Sequence, residues 1–191
     1  MYAYLNGRLE TKTPTQVYMD IAGVGYLVHI SLHTYSKIES LEATKLYTHL
    51  YVKEDALTLY GFADPEEREL FILLISVSGI GPNTARIVLS SMTPVEVRTA
   101  IVTDNDAAFK KVKGVGPKTA KRIILDLQGK IKEGAAILDT TAPAADRNVE
   151  EAINALVALG FQKAKVQKVI QKLPPEGTVE QLIKSALVQL T

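Results

Sequence analysis

The chain has 191 residues, 47% hydrophobic and 23% charged, a balance that excludes a wholly disordered polypeptide. Its 22 Lys and Arg against 21 Asp and Glu leave a net charge of +1, which by itself argues for no partner; the absence of cysteine excludes disulfides, zinc ribbons, iron–sulfur clusters and thiol catalysis. No apolar run reaches the ~18–20 residues of a membrane helix, and the start, Met1 to Arg8, lacks the basic-then-apolar order of a secretory signal, so no membrane partner and a reducing cytoplasmic address are expected.

Residue types are sorted along the chain. All eight tyrosines lie between Tyr2 and Tyr60, and all three histidines between His29 and His49. Aromatic side chains suit pleated surfaces, so residues 1–64 read as β-rich. Tyr2–Leu9 is a first strand. Gln16–Ile21 alternates, with Val17, Met19 and Ile21 on one face, and Gly23-Val-Gly25 is a hairpin turn into Tyr26–Ile30. A short helix fits near His33–Glu39. Lys45–Val52 alternates again, Lys53-Glu-Asp-Ala56 turns, and Leu57–Tyr60 begins a fifth strand. Five strands with one helix suggest an OB-like β-barrel, whose usual partner is nucleic acid. The histidines fall in strands or the adjoining turn and read as structural or surface residues.

From Pro65 the pattern turns helical and repeats. Val77-Ser-Gly-Ile-Gly-Pro-Asn-Thr-Ala85 returns 35 residues later as Val112-Lys-Gly-Val-Gly-Pro-Lys-Thr-Ala120, identical at six of nine positions. Apolar helical stretches flank each copy: Leu70–Ile75 and Ala85–Leu89 in the first, Phe109–Val112 and Ala120–Leu125 in the second. The unit is helix, Gly-x-Gly-Pro turn, helix. Glycines allow a tight bend and close approach of backbone to a ligand. Proline opens the next helix at no cost, because that N–H has no helical partner. The remaining free amides and the positive end of the helix dipole make an anion site suited to phosphate. The dipole contributes only ~0.3–1 kcal/mol at a surface, so cations must reinforce it.

Charge is distributed to do this. The net charge is −2 over residues 1–64, +2 over 65–140 and +1 over 141–191, but Lys110 to Lys132 holds eight basic residues against the single acid Asp126. Lys118, Lys121 and Arg122 fall on the first turn of the helix after the second hairpin. One Gly-Pro hairpin alone leaves a plain helical connection without a ligand open; two copies beside a basic patch argue strongly for a ligand. Gly114 to Thr119 superficially matches a nucleotide-binding P-loop, but Pro117 stands where that loop needs Gly before the Lys. The chain itself is therefore not expected to hydrolyse ATP or to carry a catalytic set, a cofactor or a metal.

Residues 134–147 are small and polar with one Pro and read as a linker. Beyond it, Asn148 with Glu151 marks a helix start. That helix stops at Gly160, a second runs from after Phe161 to about Leu173, and Pro174-Pro-Glu-Gly177 breaks it. Thr178 with Gln181 opens a third that ends near Leu190. The Leu159-Gly-Phe161 turn resembles ubiquitin-associated (UBA-like) three-helix bundles, which dock partners more often than they catalyse; the alternative is a Phe161 that simply fills the core.

In this order, a barrel (1–64), a tandem helix-hairpin-helix domain (65–133), a linker (134–147) and a three-helix bundle (148–191) resemble the RuvA family, which binds the four-way Holliday junction. The segment Val52-Lys-Glu-Asp-Ala-Leu-Thr-Leu-Tyr-Gly-Phe62 carries the most distinctive part of the match, and it covers the whole chain as a multi-domain α+β protein. The resemblance implies a homotetramer, single or paired into an octamer, with one junction arm on each subunit. It implies DNA-phosphate binding at Gly79, Gly81, Asn83, Thr84, Gly114, Gly116, Lys118, Thr119, Lys121 and Arg122. Asn83 departs from the family, which commonly has Lys there. Glu54 and Asp55 correspond to an acidic pin at the tetramer centre. The terminal bundle is implied to dock RuvB, a hexameric ring ATPase that drives branch migration in recombination and repair, with Leu159 and Phe161 as docking candidates; the junction resolvase RuvC is a further implied partner. Two rival readings stay open: a helix-hairpin-helix repair glycosylase or nuclease, which needs an acid in a pocket near the hairpin, where Asp126, ten residues past Gly116 on a helix, reads instead as a solvated or salt-bridged acid; and an adaptor whose terminal bundle binds another protein and whose barrel binds single strands.

Overall fold

A computed structural model describes residues 2–137, 144–173 and 177–190, in two compact units, 1–132 and 133–191.

The first unit opens with strands β1 (Tyr4–Thr13), β2 (Gln16–Ile21) and β3 (Val24–Ile30), then helix α1 (Leu32–Ile38), β4 (Ala43–Val52) and β5 (Leu57–Phe62). They close a barrel in the order β1-β2-β3-β5-β4, in which only β3 and β5 run parallel. This is the OB-like architecture expected. Alternation decides its interior: Leu5, Leu9, Val17, Met19, Val28, Ile30 and Leu46 point inward, and Ile38 of α1 plugs the set. Two boundaries differ from expectation. β1 is longer, continuing through a register shift between Leu9 and Thr11 to pair with β2 as far as Thr13. The β2–β3 turn is Ala22-Gly23 rather than Gly23-Val-Gly25, since Asp20 Oδ1 accepts from the Gly23 amide and Val24 already pairs with Ile21.

Five helices follow within the unit: α2 (Pro65–Ile75), α3 (Pro82–Ser91), α4 (Pro94–Val102), α5 (Asp106–Lys110) and the start of α6 (Pro117–Ile137). Helix α4 joins the two repeats and escaped the sequence reading. Thr93 and Glu96 hold its start in a reciprocal capping box. The helical core is built from the repeat itself. Val77, Ile80, Ala85 and Val88 are buried, and so are their 35-residue counterparts Val112, Val115, Ala120 and Ile123.

Barrel and helices share this core. Phe71 of α2 packs against Tyr60 and Phe62 of β5, with ring centroids 5.0 and 4.9 Å apart, and against His49 of β4 at 5.6 Å. Beside it lies a buried polar latch. Glu67 of α2 accepts from the hydroxyls of Ser31 and, at 2.6 Å, Thr34, while Thr34 Oγ1 accepts from the Ala63 amide. Arg86 of α3 donates to the Thr15 carbonyl at 2.8 Å, and the Leu32 amide to Ser90 Oγ at 3.0 Å. These contacts fix the first hairpin on the barrel.

The second unit holds α7 (Ala144–Ala158), α8 (Lys163–Ile170) and α9 (Val179–Leu190) around Ala152, Leu156, Val166, Ile170, Leu182 and Ala186. Gly160 ends α7 with φ 97°, and Thr178 and Gln181 cap α9 reciprocally, as expected. Asn148 is not the start of α7, which begins at Ala144; its side chain donates instead to the Gly177 carbonyl. Of the expected linker, 134–137 close α6 and 144–147 open α7, while 138–143 lie outside the described residues.

Candidate nucleic-acid interface

The two Gly-x-Gly-Pro turns have the same hydrogen bonds, 35 residues apart. The Val77 amide donates to Leu74, Ile80 to Val77 and Ala85 to Gly81, at 3.1, 3.0 and 3.0 Å. Val112 donates to Phe109, Val115 to Val112 and Ala120 to Gly116, at 3.0, 3.1 and 2.9 Å. In each turn the apolar residue between the glycines is buried and the glycines stay exposed. Gly79 and Gly114 take φ 91° and 89°, a region that penalises any side chain. Gly81 and Gly116 do not, and a Cβ at either would meet nothing within 4 Å. The fold itself does not demand glycine at these two positions, and the space beside their backbone stays open.

Helices α1, α4 and α5 are capped by Ser31, Thr93 and Asn105. Helix α3 begins at Gly81 with no side-chain cap, as α2 does at Asp64 and α8 at Gln162, and Gly116 before Pro117 carries no side chain to offer; the two hairpins differ in having glycine there and exposed Lys118 and Lys121 close by. First-turn amides left without a side-chain acceptor, at the positive end of a helix, are free to meet an anion. Thr84 Oγ1 lies 4.0 Å from where a Gly114 Cβ would stand, so the two turns adjoin.

The named residues divide clearly. Asn83 and Lys118 are exposed and Thr84 and Thr119 half-buried on the first turns of α3 and α6, whereas exposed Lys121 and Arg122 fall one turn further along α6 than the sequence reading put them, because α6 starts at Pro117. Arg122 reaches across: its Nη1 donates to the Ser78 carbonyl of the first turn at 3.3 Å. Nothing in the spacing signalled that crossing. Glu54 and Asp55 sit exposed in the four-residue β4–β5 turn, closed by the Lys53 amide donating to Ala56 at 2.8 Å and flanked by exposed Val52 and Leu57. Asp126, the acid a glycosylase would hold in a pocket, stands exposed on α6. In the other unit Leu159 is 64% exposed, whereas Phe161 is half-buried against the bundle core.

His33, Asp64 and Glu67 bring one ligand atom each within 4.8 Å of one another. A cation already serves that group, since Lys37 Nζ is 2.5 Å from Asp64 Oδ2, and both Glu67 oxygens accept from hydroxyls. Burial pushes the Glu67 carboxyl above the ordinary range, against the pull of the Ser31 and Thr34 hydrogen bonds. His29 and His49 are pushed down, chiefly by burial and then by Arg86 and Arg68, which favours neutral rings in structural positions. Among the described residues no helix is long and apolar enough to cross a membrane.

Comparison with known proteins matches three family models: the RuvA N terminal domain over residues 1–61, the SAM-like helix-hairpin-helix tandem over 71–129 and the RuvA C-terminal domain over 147–191. The chain is 48% identical over 193 residues to the Holliday junction branch migration complex subunit RuvA of Christiangramia forsetii, covering 100% of both chains. The proteins of the same name from Bacteroides fragilis and Flavobacterium psychrophilum are 47% and 44% identical, again over 100% of both.

Proposed function

The chain belongs to the RuvA family, and from that premise we propose that it binds four-way junction DNA by shape, without reading sequence, as the non-catalytic subunit of a branch-migration complex. The observation that carries the reading is the pair of uncapped Gly-Pro turns, alike to the hydrogen bond, presenting first-turn amides beside Lys118 and Lys121. Such contacts address phosphates, which every sequence offers alike.

Shape selectivity needs more than one subunit. In a fourfold tetramer each subunit carries one arm, and the Glu54-Asp55 turns meet where the strands cross. Carboxylates repel phosphates. Two like charges ~4 Å apart cost only ~1 kcal/mol in water but several where solvent is excluded. Eight such groups at a crowded centre push the strands apart and hold the junction open and square. The exposed position of the turn, away from the barrel core, suits that role.

The terminal bundle is in this reading the dock for the ring ATPase RuvB, which pulls DNA through the junction. Leu159, exposed at the α7–α8 corner, is its contact candidate; Phe161 helps to shape that corner from the core side. A second tetramer on the opposite face and the resolvase RuvC complete the proposed set of partners, in the cytoplasm alongside the chromosome. Gel-shift competition tests the central statement: a synthetic four-way junction should displace the protein from labelled junction at far lower concentration than linear duplex or single strands. Equal competition by the three would refute it.

A further inference from the structure

The two hairpins repeat one unit, yet their cations are shared unequally. Lys118 of the second corresponds to Asn83 of the first, and Lys113 to Ser78. From Ser76 to Thr84 the first turn has no basic residue. The next one along, Arg86, spends a donor on the barrel at the Thr15 carbonyl. By the 35-residue shift Arg122 corresponds to Ile87, so by sequence it belongs to the second hairpin alone.

Its guanidinium lies elsewhere. Arg122 Nη1 donates to the carbonyl of Ser78, the residue before Gly79 in the first turn. Lys130, two turns on along α6, makes a parallel crossing, its Nζ 3.4 Å from Ser76 Oγ. Arg122 is exposed and has no acidic partner among the described residues. Guanidinium has five donors in a rigid fork. One rests on Ser78 and orients the group, which leaves the others for a second acceptor at the same turn. Anchoring in advance also lowers the side-chain entropy lost when that acceptor arrives.

We propose that Arg122 lends the first hairpin the phosphate-binding cation that Asn83 does not supply, so that α6 charges both turns. The ligand is a DNA backbone phosphate at the Gly79–Gly81 turn. This deepens the interface described above and rests on the reading of both turns as phosphate sites.

The test is equilibrium binding of the full chain to four-way junction DNA across a salt series, with thermal stability measured in parallel. Arg122→Ala should flatten the log–log salt slope by about 0.9 for each subunit engaged, which is roughly an 8-fold change in affinity per decade of salt. Arg122→Lys should keep most of the slope. Adding Asn83→Lys to Arg122→Ala should restore it, and should steepen it more there than in the native background. Lys118→Ala probes the underlying reading: if it too leaves the slope unchanged, the turns hold no phosphate and both ideas fall. If Lys118→Ala flattens the slope while Arg122→Ala does not, or Asn83→Lys fails to restore it, only the lending is refuted. A residue that merely ties the turns together would lower the melting temperature with no change of slope.

Discussion

A methyl group at position 81 separates folding from binding. Gly81 has φ −87° and ψ 168°, an extended conformation open to any residue, and a Cβ there meets nothing within 4 Å. Gly116 is equally open. Alanine for glycine at a helix N-cap costs from a few tenths to about 1 kcal/mol. The less flexible unfolded chain returns about 0.4–1 kcal/mol, so the melting temperature of Gly81→Ala/Gly116→Ala should stay within a few degrees of native. On the proposed reading DNA meets the opposite situation, because the methyl would occupy the space through which a phosphate reaches the first-turn amides. A hydrogen bond to a charged group is worth about 1.5–3 kcal/mol, so losing one per hairpin weakens binding by roughly 10- to 150-fold each. Gly79→Ala is the contrast: at φ 91° alanine loses about 1–2 kcal/mol in the folded chain itself, and melting drops before DNA is added. Circular dichroism melts and anisotropy titrations with a labelled junction supply both numbers. Native affinity in a Gly81→Ala/Gly116→Ala protein of native stability would refute amide–phosphate contact.

Glu54→Gln with Asp55→Asn should leave or raise total DNA affinity while narrowing the preference for junction over duplex; loss of all binding would contradict repulsion as their role. Burial makes Glu67 harder to ionise in the folded chain, so as pH rises above the ordinary carboxylate range the unfolded chain releases this proton first and stability declines toward the raised value. Glu67→Gln should remove that decline, and superimposable melting-temperature profiles for the two proteins would show that the latch carries no such linkage. Removing residues 138–191, a cut that keeps α6 whole, should abolish stimulation of the ATPase in a branch-migration assay yet preserve gel-shift affinity for the junction; loss of affinity as well would mean the bundle takes part in DNA binding.

Much of this protein is legible in its sequence because the signals are local. Alternation in Gln16–Ile21 specifies a strand whose alternate residues enter the barrel. The doubled Gly-x-Gly-Pro motif specifies two turns whose conformation depends on glycines at positive φ and prolines at the first helical position. Thr178 and Gln181 find each other three residues apart. What tertiary structure alone decided depends on groups far apart in the chain. The Glu67 latch needs Ser31 and Thr34, more than thirty residues away, and no spacing rule links a helix-start acid to hydroxyls beneath a barrel. Phe161 packs against the bundle core formed by α7, α8 and α9, while Leu159, two residues before it, stays in solvent. Arg122 belongs to one repeat in sequence and to both in space, since packing lays α6 across the first turn. Residue order therefore sets which backbone amides are free, and packing sets which cations stand beside them.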